Sequence, residues 1–228
     1  MKKMKFVALT LTLLMGISLT SCFNSDGDDS SYDAYTFATV SQSYLGSPIL
    51  IADDGVTTLY PTNSSALLLS DGVSYPQRVY VTFKYAEGES YQENKTSYNV
   101  TIVNASVIYT KNFNTQPDTL ANDYSVTSIE AWGANKYINI YFNVNYSSNI
   151  DFDMYEKEVG NDDTLYVKFN YSKGGGDSSS SYYTNYISFK LPTDTDVEPK
   201  NDSIWVKIFA KGSGSQVIEK NVRLRYPY

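Results

Sequence analysis

Period-two alternation dominates this chain in separate rows from about residue 79 onward, and a pattern with that period cannot settle as a helix. Val79, Val81, Phe83 and Tyr85 line one face of a segment, with Tyr80, Thr82 and Lys84 on the other. Ile138, Ile140, Phe142 and Val144 repeat the pattern against Asn139, Tyr141 and Asn143. So do Leu165–Val167–Phe169–Tyr171, Ile187–Phe189–Leu191 and Ile204–Val206–Ile208–Ala210. In an extended chain successive side chains point to opposite faces, so each row offers one face to a core and one to water. That is the signature of antiparallel sheet wetted on one side. No helical stripe longer than two turns competes with it, and the chain reads as all-β.

Turn signals cut these rows into short strands. Asp54-Gly55, Asp71-Gly72 and Gly212-Ser213-Gly214 supply residues that tolerate a positive φ. Lys173 to Ser181 (KGGGDSSSS) is a low-complexity tip, and Pro192 to Asp202 a longer acidic connection. The polar stretch around Pro117 predicts a linker over 114–122, with Thr96 to Phe113 before it as one long, bent strand. The first unit, 35–113, then holds roughly five strands and suits a small OB-like barrel. The second, 123–228, holds roughly seven and suits an antiparallel β-sandwich.

The amino terminus has a different character. Lys2, Lys3 and Lys5 precede an apolar run from Phe6 to Leu19, which is closed by Leu19-Thr20-Ser21-Cys22. A basic start, a short apolar centre and small residues before a cut make a secretory signal over 1–21. The run is too short to cross a bilayer, which takes about 20 apolar residues. Cys22 is the single cysteine of the chain, so no intrachain disulfide framework exists. Its place fits a lipobox, with cleavage between Ser21 and Cys22 and acylation of the thiol and the new amino terminus. Two or three acyl chains hold a protein to a membrane where one holds it only reversibly. Residues 22–34 then read as a lipidated cysteine with an acidic tether. Asp26, Asp28 and Asp29 lack the glutamate and following helix of an EF-hand, so no calcium loop is expected there.

Charge and residue types narrow the function. The net charge is −7, and loss of the leader lysines makes the remainder more acidic. Nucleic-acid binding needs a basic face to displace counterions, so it is not expected. Histidine is absent altogether, which removes Ser-His-Asp and Cys-His catalysis and histidine-bearing zinc sites. No glycine-rich phosphate loop is present. Carboxylate chemistry remains: glycoside hydrolysis needs two acids facing across a groove, and Glu130, Asp153, Glu156 and Glu158 are the nominees. Solvated strand and loop acids account for them equally. Asp53-Asp54 and Asp162-Asp163 have the oxygens for calcium but suit turns that bond to local backbone. The expectation is a non-catalytic protein without metal or cofactor.

The order of short motifs carries a family resemblance. Asp53-Asp54-Gly55, Leu59-Tyr60-Pro61, Gln77-Arg78-Val79, Ile108-Tyr109-Thr110-Lys111, Trp132-Gly133, Tyr137-Ile138-Asn139 and Ile187-Ser188-Phe189 follow the lipobox cysteine and acidic tether. In that order they resemble NigD-like proteins over nearly the whole mature chain. Pro76, where glycine is expected, and the Lys173–Ser181 tip depart from the pattern. The resemblance implies an OB-like domain joined to a β-sandwich and anchored to the cell envelope. It also implies a link to bacteriocin function or immunity, and it brings no catalytic residues.

Two further readings come from single residues. The 22 tyrosines favour strands, burying the ring while the hydroxyl stays wet, and they make an adhesive surface. Trp132 and Trp205 are candidates for stacking on a ligand such as a sugar, against the commoner core role of tryptophan in sandwiches. Asp118-Thr119-Leu120, Asp163-Thr164-Leu165 and Asp202-Ser203-Ile204 resemble an Asp-Thr/Ser-apolar acceptor of bacterial O-glycosylation, with Thr119, Thr164 and Ser203 as acceptors. The expected partners are therefore a membrane, through lipid on Cys22, and another protein, with a glycan as the alternative. The expected location is the outer membrane, facing the cell exterior.

Overall fold

A computed structural model describes residues 31–114, 124–145, 150–159, 164–173, 182–191 and 202–225. The signal segment, Ser21, Cys22, most of the tether, Thr119, Asp162-Asp163 and the Lys173–Ser181 tip beyond Lys173 lie outside them. So do most of the 114–122 linker and the Pro192–Asp202 connection. The chain forms two compact units, Met1–Val107 and Ile108–Tyr228.

The first unit is a closed five-stranded barrel. Its strands are β1 (Ala34–Gln42), β2 (Pro48–Ala52), β3 (Thr58–Pro61), β4 (Arg78–Tyr85) and β5 (Ser97–Val107). They run in the order β1-β2-β3-β5-β4, with β4 returning to pair with β1. A short 3-10 turn, Ser64–Leu67, follows β3 and inserts Leu67, which is 2% exposed, into the core. All pairs are antiparallel except β3 with β5. This is the OB-like order the sequence pattern suggests. Its core is Ala34, Ala38, Leu50, Leu59, Leu67, Val79, Val81, Phe83, Tyr98, Val100 and Ile102. On β4 these are the residues of the alternating row, so the period alone assigned its inner face.

Closure depends on β1 changing partners. Its first half pairs with β4 from Ala34↔Phe83 to Thr39↔Arg78, and its second half with β2 from Ala38↔Ala52 to Gln42↔Pro48. Thr39 thus sits at the switch, with the start of β4 on one side and the end of β2 on the other.

The second unit is a sandwich of two four-stranded sheets. One contains β6 (Tyr109–Asn112), β11 (Tyr182–Lys190), β8 (Tyr137–Asn145) and β7 (Ser128–Ala134), in that spatial order. The other contains β13 (Val217–Arg225), β12 (Ser203–Lys211), β10 (Thr164–Lys173) and β9 (Ile150–Val159). Between them lies one apolar core built from the alternating rows, including Ile138, Ile140, Phe142, Phe152, Val167, Phe169, Phe189, Val206 and Ile208. Phe142, Phe152 and Phe169 stack at its centre, with Phe142–Phe152 ring centroids 4.1 Å apart and Phe152–Phe169 5.6 Å.

Two features differ from the expectation. The sandwich is antiparallel apart from one parallel pair in each sheet, β10 with β12 and β11 with β6. The stretch read as one bent strand to Phe113 is two strands, parted at Ile108. Its second piece, β6, belongs to the sandwich, so the division falls between Val107 and Ile108, ahead of 114–122. Alternation reports which face is buried and says nothing of which sheet a strand joins, so it runs through the change of partner unmarked.

Candidate interaction surface

The hairpin joining β1 to β2 runs past the backbone pairing of the other barrel strands, with Pro48 buried and Tyr44 to Ser47 exposed at its turn. Backbone pairing of β1 with β4 ends at Thr39↔Arg78, supported by Val40 N–H to the Gln77 carbonyl at 3.0 Å. Pairing of β2 with β3 reaches only Leu50↔Leu59. The ribbon from Ser41 to Ile49 therefore pairs with itself alone, through Ser41↔Ile49 and Gln42↔Pro48. An isolated two-stranded ribbon is marginal in water, and this one is pinned at its turn. Ser43 N–H donates to the Ser47 carbonyl at 2.8 Å, Gly46 N–H to the Ser43 carbonyl at 2.9 Å and Ser47 N–H to Ser43 Oγ at 3.1 Å. Gly46 has φ +82°, a conformation other residues resist.

The turn displays Tyr44 and Leu45 with essentially nothing against them. Their relative exposures are 104% and 88%, the two highest of any large apolar side chain among the described residues. No charged residue occurs between Asp33 and Asp53. The turn is thus a neutral finger tipped by an aromatic and an aliphatic side chain.

Two of the resemblance motifs meet at its base. Arg78 is fully buried and pairs with Asp53 in a fork, Nη1 to Oδ1 at 2.5 Å and Nη2 to Oδ2 at 2.7 Å. Nη1 also donates to Thr39 Oγ1 at 3.0 Å. One ion pair therefore fastens the start of β4 to the end of β2 across the point where β1 changes partner. Asp54 instead folds its own turn, Oδ1 accepting from the backbone N–H of Val56 and Thr57, and Oδ2 from Thr57 Oγ1. The Asp53-Asp54 carboxylates thus work as a staple and a turn former.

The other end of the barrel is sealed by aromatics. Tyr85 packs against Phe83 and Tyr98 at 5.6 and 5.3 Å. Burial, with Tyr98 and Asp33 adding to it, pushes its hydroxyl pKa up to about 12. Tyr98 Oη donates to the Gln92 carbonyl at 2.9 Å, tying down the loop between β4 and β5.

In the sandwich the two tryptophans lie in different sheets. Trp132, on β7, is half-buried and packs edge-on against Tyr186 at 6.2 Å; Tyr186 in turn lies 4.8 Å from Tyr141. Trp205, on β12, is 52% exposed on the outward face of the other sheet. They form no common platform. The nominated acids are likewise dispersed. Glu130 on β7 is held by Lys220 through both carboxylate oxygens, at 2.9 and 2.8 Å. Asp153 on β9, in the opposite sheet, accepts from Lys111 Nζ at 2.9 Å, beside Asp151 at 3.0 Å. Glu156 is exposed on the same strand, and the side chain of Glu158 is not among those described. Among the described residues no group of three or more acids, cysteines or histidines is placed to hold a metal ion. Of the hydroxyl acceptors, Thr164 opens β10 opposite Trp205, half-buried. Ser203 is 6% exposed and its Oγ takes a hydrogen bond from Arg223 Nε at 2.9 Å. That hydroxyl is a poor acceptor for a glycan while the strand is folded.

Lys111 and Gly133, both within resemblance motifs, close the two open sides of the sandwich. Lys111 reaches from β6 across to Asp151 and Asp153 on β9. Partial burial pulls its ammonium down, but the hydrogen bonds to Asp153 and Asp151 outweigh it and hold its pKa above the ordinary lysine value. On the other side Gly133 lets β7 approach β13 so closely that a Cβ there would stand 2.5 Å from the Arg223 carbonyl oxygen.

Tyr44 and Leu45 escape the sequence reading because they belong to no alternating row. The signal that marks them is the long charge-free interval of an otherwise charged chain, broken by Ser43, Gly46 and Ser47.

Residues 106–222 match the model of the NigD-like C-terminal beta sandwich domain. Among solved structures, a protein of unknown function from Bacteroides vulgatus superposes with a TM-score of 0.60 at 19% identity, covering 85% of this chain and 90% of that one. A candidate lipoprotein of Bacteroides fragilis gives 0.59 at 13% identity, covering 85% and 97%. A NigD-like immunity protein of Bacteroides caccae gives 0.53 at 19%, covering 82% and 90%. These likenesses span both units and establish the fold. No curated protein matches the sequence.

Proposed function

The chain belongs to the NigD-like family, and from that premise we propose that it is a non-catalytic, lipid-anchored envelope protein that binds another protein through the Tyr44–Leu45 finger. The observation that carries this reading is the finger itself. A large, rigid aromatic beside an aliphatic residue, free of charge, is the composition of an interface centre. Displaying it in water is unfavourable, at roughly 25 cal/mol for each Å² of apolar surface left uncovered. Anchoring rests on the lipobox ending at Cys22, and it agrees with the description of the Bacteroides fragilis structure as a candidate lipoprotein. The acidic residues after Cys22 resemble the surface-export signal of some Gram-negative lipoproteins, which favours an outer-membrane, outward-facing location. The lack of histidine and the engagement of Glu130 and Asp153 by lysines support a binding role over a catalytic one. The immunity protein among the fold relatives makes a bacteriocin or its partner the first class to test.

A photo-crosslinking residue in place of Tyr44, in cells expressing the full-length chain, tests this. The expected outcome is one discrete protein adduct that disappears when Leu45→Ser is added. Adducts to lipid alone, or none at all, would remove the protein-binding reading. Separately, Cys22→Ser is expected to move the protein from the membrane pellet to the soluble fraction.

A further inference from the structure

The outward face of β12 and β13 holds a second surface, independent of the finger and beyond the reading above. Trp205 stands on β12, an inner strand, so it is flanked in register on both sides, by Arg223 on β13 and Thr164 on β10. It is 52% exposed. Core-facing residues on either side, Ile204 and Val206, are 1% and 0% exposed, so the indole is directed out by the strand's period. The ring has the flat apolar face on which the C–H side of a pyranose can lie.

Arg223 supplies a charge beside it. Its Nε donates to Ser203 Oγ at 2.9 Å, which holds the guanidinium over Ser203, two residues before Trp205 on the same face of β12. Nη1 and Nη2 are left to form a fork, the geometry that matches a carboxylate. Arg225 follows on the same face of β13, opposite Ser203. Glu219, the one acid within these two strands, is taken by Lys207 at 2.8 Å, and Asp202 stands exposed just before β12. Arg223, Arg225 and Lys207 against Glu219 and Asp202 leave this face net positive among the described residues, within a chain of net charge −7, so the whole-molecule field does not explain it.

From this juxtaposition we infer that Trp205 and Arg223 form a binding site for an acidic sugar, the pyranose ring stacked on the indole and its carboxylate held by the guanidinium. A neutral sugar would leave the arginine fork without its partner, and an aliphatic acid would leave the indole uncovered.

The test uses the full-length protein in detergent, an array of uronate- and sialate-bearing oligosaccharides, and oligogalacturonate with its methyl ester as a matched neutral control. Wild type is expected to bind carboxylated members, and oligogalacturonate to quench tryptophan emission at least tenfold more effectively than the ester. Trp205→Ala should weaken binding at least tenfold, and Arg223→Gln should abolish the preference for acid over ester. Raising the salt concentration should weaken the acid and leave the ester unchanged. Tyr44→Ser should leave all of this intact, which separates the site from the finger. Equal binding of acid and ester, retention of no carboxylated member, or indifference to Trp205→Ala would each overturn the assignment. Trp205→Tyr, which keeps an aromatic face, should retain part of the affinity and guards against a folding artefact.

Discussion

The barrel and the sandwich face the same difficulty, because a sheet with open edges recruits other strands, and they resolve it by different chemistry. The barrel joins β4 back to β1 and secures the seam with one buried ion pair, Arg78–Asp53. The sandwich stays open at its sides and fastens them with half-exposed contacts, Lys111 to Asp151 and Asp153 on one side and the Gly133 approach with Lys220–Glu130 on the other. Each solution determines what is left on display. Closing the barrel through a β1 that changes partners leaves the tip of the β1–β2 hairpin paired only with itself, whereas the sandwich keeps two broad outer faces. A point contact suits the first and a platform suits the second.

If the barrel depends on its staple, Arg78→Met should be the most damaging substitution in the comparison. It strands the Asp53 carboxylate, which is 7% exposed, without its partner. Removing one member of a buried pair costs about 3–5 kcal/mol, read as a drop in the urea midpoint by circular dichroism. Replacing both members, Arg78→Met with Asp53→Leu, should recover most of that loss, because no uncompensated charge remains. Should the single variant unfold at the wild-type midpoint, the seam is held by something else and the contrast fails.

The same contrast explains what could be foreseen from sequence. Alternation assigned the inner faces of β4, β8, β10, β11 and β12 correctly, since burial of one face follows from the period alone. It was silent on β6, whose four residues, Tyr109–Asn112, are too few to show a period, and on the parallel pairings, which depend on distant partners. The staple was equally hidden. Asp53 and Arg78 appeared as separate motifs, and only the barrel's closure brings them within 2.7 Å. Turn chemistry was legible, as Asp54 and Asp71 show by each bonding the backbone two and three residues ahead. Trp132 and Trp205 were indistinguishable in sequence because both alternate with core residues. Their faces differ only once the two sheets are assigned.

Gly133→Ala probes the sandwich's tight side and should cost less than losing the barrel's staple. The added Cβ meets the Arg223 carbonyl at 2.5 Å and Leu224 Cγ at 2.9 Å. The leucine can rotate, but the carbonyl is backbone and can yield only by moving β13. Overpacking of this kind costs about 1–3 kcal/mol. Both tryptophans lie in this unit, so urea unfolding followed by their emission reports it directly. A midpoint equal to wild type would mean that β7 and β13 have slack, and that the glycine is there for another reason.

The smallest effect belongs to the clasp on the other side. Lys111 is largely covered but Asp151 is 55% exposed, so water screens the pair and its worth is at most about 1 kcal/mol. Lys111→Met, which keeps the side chain's length and removes its charge, should lower stability by that much or less at neutral pH. The pH dependence carries the sign. Asp153 and Asp151 hold the folded-state pKa of Lys111 above that of an unfolded lysine, so the folded state binds the proton more tightly. The stabilisation is fully present below the unfolded value and fades as pH rises through the folded one. The difference between wild type and Lys111→Met, taken from paired unfolding curves, should therefore shrink on the alkaline side while staying constant between pH 6 and about 9. Most tyrosines ionise alike in both proteins and cancel in the difference; Tyr155, whose hydroxyl pKa burial raises and Lys111 pulls down, does not, so the pair is compared in a Tyr155→Phe background. A difference that instead grew with alkalinity would show that burial dominates over the two carboxylates, and the clasp would then be a packed contact without electrostatic character.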